Sequence, residues 1–225
     1  MGAMTDHDQL DERLQVLSSV LTHVLATQED ERRAVIHSLQ EDVGQALTAL
    51  ALNLRVLEKR CDQTPSLELI GEMRELVTGA LRDLDHVQRT LYPPALDSQG
   101  LVPAVEMCIQ EFAHSTQVRV ALDAEVLPMR LHAVIEIALF RSLQEVLEHL
   151  RQQPTVSEVR LRLRFIKEFA YLVIEAEGVT RAPDWREDLI SARASALGGC
   201  YAITPIALTG TQYTIALPVY QKESP

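Results

Sequence analysis

From Asp6 to Lys59 the chain holds no proline and a single glycine, Gly44. Within that stretch Leu10, Leu14, Leu17, Leu21 and Val24 recur in 4-3-4-3 steps. Such a heptad seam buries itself only against another helix. The seam weakens through Gln28 and Glu31 and resumes at Val35, Leu39, Val43, Leu47, Leu50, Leu54 and Leu57. The steps from Glu31 to Leu47 are consecutive fours, so the phase shifts as in a coiled-coil stutter. A helix of about 50 residues would run roughly 75 Å, far too long for a compact monomer.

Thr64-Pro65 predicts a second helix start, a capping hydroxyl followed by proline at the first helical position. Ile70, Met73, Val77, Ala80, Leu84, Val87 and Leu91 then alternate in threes and fours. Two amphipathic helices joined by a short loop form an antiparallel hairpin whose apolar stripes lack partners. A homodimeric four-helix bundle covers them, and packing onto the rest of the same chain is the alternative.

Tyr92-Pro93-Pro94 ends the second helix. The remainder alternates between helical and strand periods. Helices are expected over Val102–His114, Ala133–Arg151 and Trp185–Leu197, the last stopped by Gly198-Gly199. Strands are expected over Val118–Leu122, Val159–Phe165, Phe169–Glu175, Cys200–Thr204 and Gln212–Leu217, with a turn at Gly210. Arg160, Arg162 and Arg164 place cations on the outer face of one strand. The expected fold is α+β: a long-helix hairpin followed by a sheet with helices on one face. The expected domains are a cloning remnant over 1–4, a coiled-coil signalling helix over 5–30, a dimerisation hairpin over 31–92, and the α+β domain over 93–225.

A formal net charge of −11 argues against a nucleic-acid partner, which demands a basic surface. No stretch approaches the roughly 20 apolar residues of a membrane span, and no signal peptide is visible. Any sensory or membrane part would lie upstream. Cys61, Cys108 and Cys200 are far apart and match no zinc or redox spacing, which points to a reducing, cytoplasmic setting. The seven histidines form no ligand pair, so no metal site is expected.

Four segments share a resemblance. Glu31-Arg32-Arg33 through Leu39-Gln40-Glu41-Asp42-Val43-Gly44-Gln45-Ala46-Leu47 resembles E-R-x-R-I-A-R-E-L-H-D-x-x-G-Q-x-L, the phosphoacceptor helix of the histidine kinase family that includes nitrate and lipid-fluidity sensors. Leu91 to Asp97 with Gly100-Leu101 resembles that family's connector, L-R-P-x-x-L-D-x-L-G-L. Arg141 to Leu147 resembles R-I-x-Q-E-A-L, and Ala196-Leu197-Gly198-Gly199 resembles A-L-G-G. The ordered set implies a dimerisation hairpin followed by a GHKL (Bergerat-type) ATPase-like sandwich.

The departures from that pattern bear on activity. An autokinase needs a nucleophilic imidazole, and its position here is Gln40. His37 lies about a turn earlier, offset by about 60°, and reads as a solvated helix histidine. The family's E-x-x-x-N segment keeps Glu145 but has His149 where asparagine would hold magnesium. The D-x-G-x-G segment that contacts adenine reads Ala176-Glu177-Gly178-Val179-Thr180, without the aspartate or the second glycine. The glycine-rich phosphate segment falls near Arg186-Glu187-Asp188-Leu189 and holds no glycine. Three lost contacts at about 2 kcal/mol each would lower nucleotide affinity by roughly four decades. No cofactor is therefore expected.

One chemical feature persists. Glu41 and Gln45 keep the spacing of the family's D-x-x-x-Q, whose glutamine the resemblance implies orients water toward a phosphoaspartate. Positions four apart project from one helix face, although ordinary exposed helix residues would look the same. The sequence thus leaves two leading readings. One is a homodimer without autokinase activity that binds a response regulator receiver domain or a partner histidine kinase. The other is a phosphoaspartyl phosphatase using Glu41 and Gln45. An active kinase is disfavoured, and no convergent polar set supports another ligand in the remnant pocket.

Overall fold

The computed structural model describes residues 6–61, 64–91, 94–125, 130–179, 187–206 and 210–219. Two compact units emerge, Thr27–Pro94 and a second formed by Ala95–Pro225 with Met1–Ala26.

The first unit is a helical hairpin. Helix α1 (Asp6–Ser38) enters it, passes through a π-helical turn (Leu39–Gly44) and continues as α2 (Gln45–Arg60). Helix α3 (Thr64–Leu91) runs back against α2. The π turn resolves the stutter expected above. Covered positions step by threes and fours through Glu29, Arg32, Ile36 and Leu39, jump by five to Gly44, and step on through Leu47, Ala51, Leu54, Glu58 and Cys61. A turn closed by i→i+5 bonds inserts the extra residue. An unbroken α-helix would instead carry the inward stripe out of line. Gly44 sits at the far end of the jump, where an added Cβ would lie 3.5 Å from Leu84 Cδ2 of α3.

On α3 the covered column is Leu67, Ile70, Val77, Leu81, Leu84, Gln88 and Leu91. Arg74, in the same column, reaches Glu58 of α2 at 3.2 Å. The apolar stripes read from the sequence therefore divide between two faces. Leu54 and Val77 are buried within the hairpin, whereas Val43, Leu50, Leu57, Met73 and Val87 are each at least 40 % exposed and Leu76 is 74 % exposed. Val16, Val20 and Val24 of α1 are also exposed, and the side chains of Leu10, Leu14 and Leu17 lie outside the described residues.

The second unit is a five-stranded sheet, order β1-β2-β3-β5-β4. Its elements are α4 (Pro94–Ser98), α5 (Leu101–Thr116), β1 (Arg119–Ala124), α6 (Ala133–Arg151), β2 (Glu158–Ile166), β3 (Phe169–Glu177), α7 (Glu187–Ala196), β4 (Cys200–Ile206) and β5 (Gly210–Pro218). Strands β1 and β2 are parallel with α6 as their crossover, and the other pairs are antiparallel. One register row, Leu122–Leu161–Ile174–Tyr213–Ile203, crosses all five strands on the core side. Helices α5, α6 and α7 cover that side, with Ile135, Leu139, Leu143, Val146 and Ile190 filling the layer. The opposite face carries the expected cations, zipped to acids. Arg160 lies 2.6 Å from Glu158 and 3.2 Å from Glu177, Arg162 pairs with Glu175, and Arg164 pairs with Asp123. The N-terminal stretch of α1 joins this unit through Thr22 Oγ1, which donates to the Ala196 carbonyl at the end of α7.

Candidate functional site

In the hairpin unit the site residues collect on the π turn. Gln40, which the resemblance sets at the nucleophile's position, is exposed there, as are Glu41 and Asp42. His37 precedes them by about a turn; its Nδ1 lies 3.2 Å from Glu41 Oε2, with the two side chains 70 % and 62 % exposed. Ser38 Oγ donates to Asp42 Oδ2 at 3.1 Å, and Thr48 Oγ1 donates to the Gly44 carbonyl at 2.8 Å. Gln45 opens α2, its backbone N–H bonded to the Asp42 carbonyl and its side chain exposed. In a turn closed by i→i+5 bonds, positions four apart fall just short of a full revolution. Glu41 and Gln45 thus stay on one side of the rod, and the Glu41 carboxylate is turned toward His37. The turn and the first residue of α2 together present two amides and two carboxylates to solvent, groups that orient water and donate or accept hydrogen bonds. An amide nitrogen lacks the nucleophilic lone pair of a neutral imidazole.

In the sheet unit the residues that the resemblance sets at the nucleotide site lie on α6 and at the end of β3. Ala176 is fully buried, facing Val159 of β2 and Thr211 of β5 in register. A methyl group there offers no hydrogen-bond acceptor. Gly178 adopts φ +85°, and a Cβ on it would come within 1.9 Å of the Thr155 carbonyl oxygen. Thr155 Oγ1 in turn donates to the Gly178 carbonyl. Close backbone approach alone therefore requires this glycine. Thr180 lies outside the described residues, as do Trp185 and Arg186.

Glu145 and His149 are one turn apart on α6 but meet different surroundings. His149 is 6 % exposed and stands edge-on to the Tyr213 ring, centroids 6.2 Å apart. Burial holds its pKa below the usual imidazole value and pushes the Tyr213 hydroxyl up to about 12. His149 is thus a neutral core side chain. Glu145 Oε1 accepts from Arg193 Nη2 of α7 at 2.8 Å. Arg141, buried three residues before Gln144, donates to its Oε1 at 2.6 Å. Among the described residues no three His, Cys, Asp or Glu side chains form a metal-binding group.

Arg193 and Tyr213 escaped the sequence reading. A signal for Arg193 was present: Ile190, Ala194 and Leu197 mark the covered face of α7, and Arg193 falls on that face. A cation there demands an acid from another element.

No protein-family model matches the chain. It is 27 % identical over 164 residues to the sensor histidine kinase MctS of Rhizobium johnstonii, covering 71 % of this chain and 35 % of that protein. It is 25 % identical over 209 residues to the signal transduction histidine-protein kinase/phosphatase DegS of Brevibacillus brevis, covering 89 % of this chain and 54 % of that one. The chain thus spans between a third and about half of the length of these relatives. Among solved structures, the blue-light activated histidine kinase EL346 of Erythrobacter litoralis superposes with a TM-score of 0.50 at 16 % identity, over 69 % of this chain and 61 % of that one. No described helix is long and apolar enough to cross a membrane.

Proposed function

We propose that this homologue of the two-component histidine kinases works without phosphorylating itself, as a homodimeric scaffold that binds a response regulator receiver domain or a partner kinase. The observation that carries this reading is Gln40: an exposed amide occupies the place on the hairpin where a phosphoryl group would have to land.

The sheet unit supports the same conclusion. Its residues do not fit a magnesium nucleotide. The adenine-contacting carboxylate is replaced by the buried methyl of Ala176, the metal-ligand position by the core residue His149, and the carboxylate of Glu145 is engaged by Arg193. Glu187 and Asp188 at the start of α7 add negative charge where phosphates would approach. Calorimetry of the purified chain with Mg-ATP tests this directly. The expected result is no measurable heat of binding at sub-millimolar nucleotide, and a micromolar dissociation constant would reopen the kinase reading.

The exposed apolar columns of the hairpin support the dimer. Val43, Leu50 and Leu57 on one arm and Leu69, Met73 and Leu76 on the other are uncovered in the single chain. A second copy brings these columns together as a four-helix bundle.

A second reading, phosphoaspartyl phosphatase, is favoured by Glu41 and Gln45 standing on one side of the π turn, and DegS carries both activities in its name. A carboxamide there can orient water without any nucleotide. Decay of a phosphorylated receiver, timed with wild-type chain and with Gln45→Ala, separates the readings. Acceleration by wild type that Gln45→Ala abolishes establishes the phosphatase, and identical decay with and without the chain leaves the scaffold.

A further inference from the structure

Helix α7 is ten residues long, shorter than the roughly 12–15 residues at which an isolated helix becomes even marginally stable in water. Its position must therefore be set by tertiary contacts. The apolar ones are few: Ile190 and Ala194 are buried, and Leu197 follows just past the end. Arg193 projects from the same face, its side chain 13 % exposed, and donates through Nη2 to Glu145 Oε1 at 2.8 Å. Glu145 is held on the buried scaffold helix α6, 48 residues away in sequence. The second nitrogen of the fork, Arg193 Nη1, and the second carboxylate oxygen, Glu145 Oε2, are both shielded from solvent with no hydrogen-bond partner among the described residues. Among the described residues these two side chains form an ion pair with each other, Arg193 at 13 % and Glu145 at 31 % exposure. Neutralising Glu145 leaves a largely buried guanidinium without that partner, whereas Glu145 keeps part of its hydration when Arg193 is removed.

We propose that the Arg193–Glu145 pair is a built-in lock that fastens α7 to α6 with no ligand bound. This rests on the reading that the sheet unit holds no nucleotide. The acid retained at the nucleotide-site position thereby acquires a structural partner, which accounts for its survival beside Ala176 and His149.

Hydrogen exchange read by mass spectrometry on the full chain tests the lock, comparing wild type, Arg193→Met, Glu145→Gln and the double variant, each with and without Mg-ATP. Each single variant should speed exchange of the 190–197 amides by about tenfold, the scale of one charged hydrogen bond. The double variant should be no faster than the faster single one, and amides of β3 and β5 should be unchanged. Exchange in 190–197 within twofold of wild type in both single variants, or additive effects in the double, overturns the lock. Should Arg193→Met also loosen β3 and β5, Arg193→Lys decides: it keeps the charge and the stem, and faster exchange confined to 190–197 is the expected result, wild-type exchange the contrary one. Slower α7 exchange in wild type with Mg-ATP would instead contradict the nucleotide-free reading, leaving the variant comparison to judge the lock.

Discussion

His149 carries a pH signature that distinguishes a core side chain from a ligand. Burial lowers its pKa from the ordinary 6.5, so the folded chain keeps the imidazole neutral while an unfolded chain takes up a proton as pH falls through about 6.5. Stability from this residue is present above that value and is lost as pH falls toward the depressed folded pKa. Unfolding free energies from urea titrations between pH 7.5 and 5.5 should decline more steeply for wild type than for His149→Asn, by up to about 1.4 kcal/mol per pH unit. Parallel slopes would contradict the buried, neutral assignment. The cysteines differ in the same spirit. Burial, with Glu111 adding to it, pushes the Cys108 thiol up to about 12, whereas Cys200 is exposed on β4. Iodoacetamide at pH 8 should label Cys200 and spare Cys108, because the thiolate is the reacting form. Labelling of Cys108 at a comparable rate would refute its partial burial against the core. Gln40 and Ala176 read as replacements only against the resemblance, which sets an imidazole and a carboxylate at those positions, chemistry that an amide or a methyl cannot do. The partners of Glu145 and His149 were not legible. Arg193 and Tyr213 reach them across the fold, and no local spacing encodes that meeting.

The helical and strand boundaries follow hydrophobic period closely, because each element has one buried and one wet face. Ala133–Arg151 coincides with α6, and the five expected strands differ from β1 to β5 by one or two residues at most ends. Two features were hidden. Helix α4 is a five-residue turn that begins at Pro94, too short to show a period. The π turn looked like a stutter because both insert residues into the same pattern, and the five-residue jump from Leu39 to Gly44 became visible only once the covering helix was known. Gly44 and Gly178 make opposite predictions. An added Cβ at Gly44 makes an ordinary 3.5 Å contact, so Gly44→Ala should stabilise the hairpin by about 0.5–1 kcal/mol through helix propensity. At Gly178 the Cβ would collide with the Thr155 carbonyl at 1.9 Å, so Gly178→Ala should destabilise the sheet unit by about 2–4 kcal/mol. Urea titrations of both variants check these signs, and a stable Gly178→Ala chain would refute the close approach.

At the scale of the molecule, the hairpin covers only one of the two apolar columns on each arm. Leu50→Asp combined with Leu76→Asp should convert a dimer to a monomer in light scattering while retaining helical circular dichroism, since neither position is buried within one chain. Leu54→Ala, at 2 % exposure, should instead lower folding stability by about 2–4 kcal/mol. A monomeric wild type would remove the bundle. The two apolar stripes were readable in the sequence, but which residues of each stripe face inward was not. That division depends on the phase of the π turn. On the proposed function, an amide stands where phosphate would be accepted and a closed polar pair where nucleotide would be gripped. Incubation of the chain with γ-labelled ATP and magnesium, followed by alkaline-stable protein-bound counting, tests that combination most directly. Counts at the level of a boiled control are expected; stoichiometric, alkali-stable label on the polypeptide would contradict it.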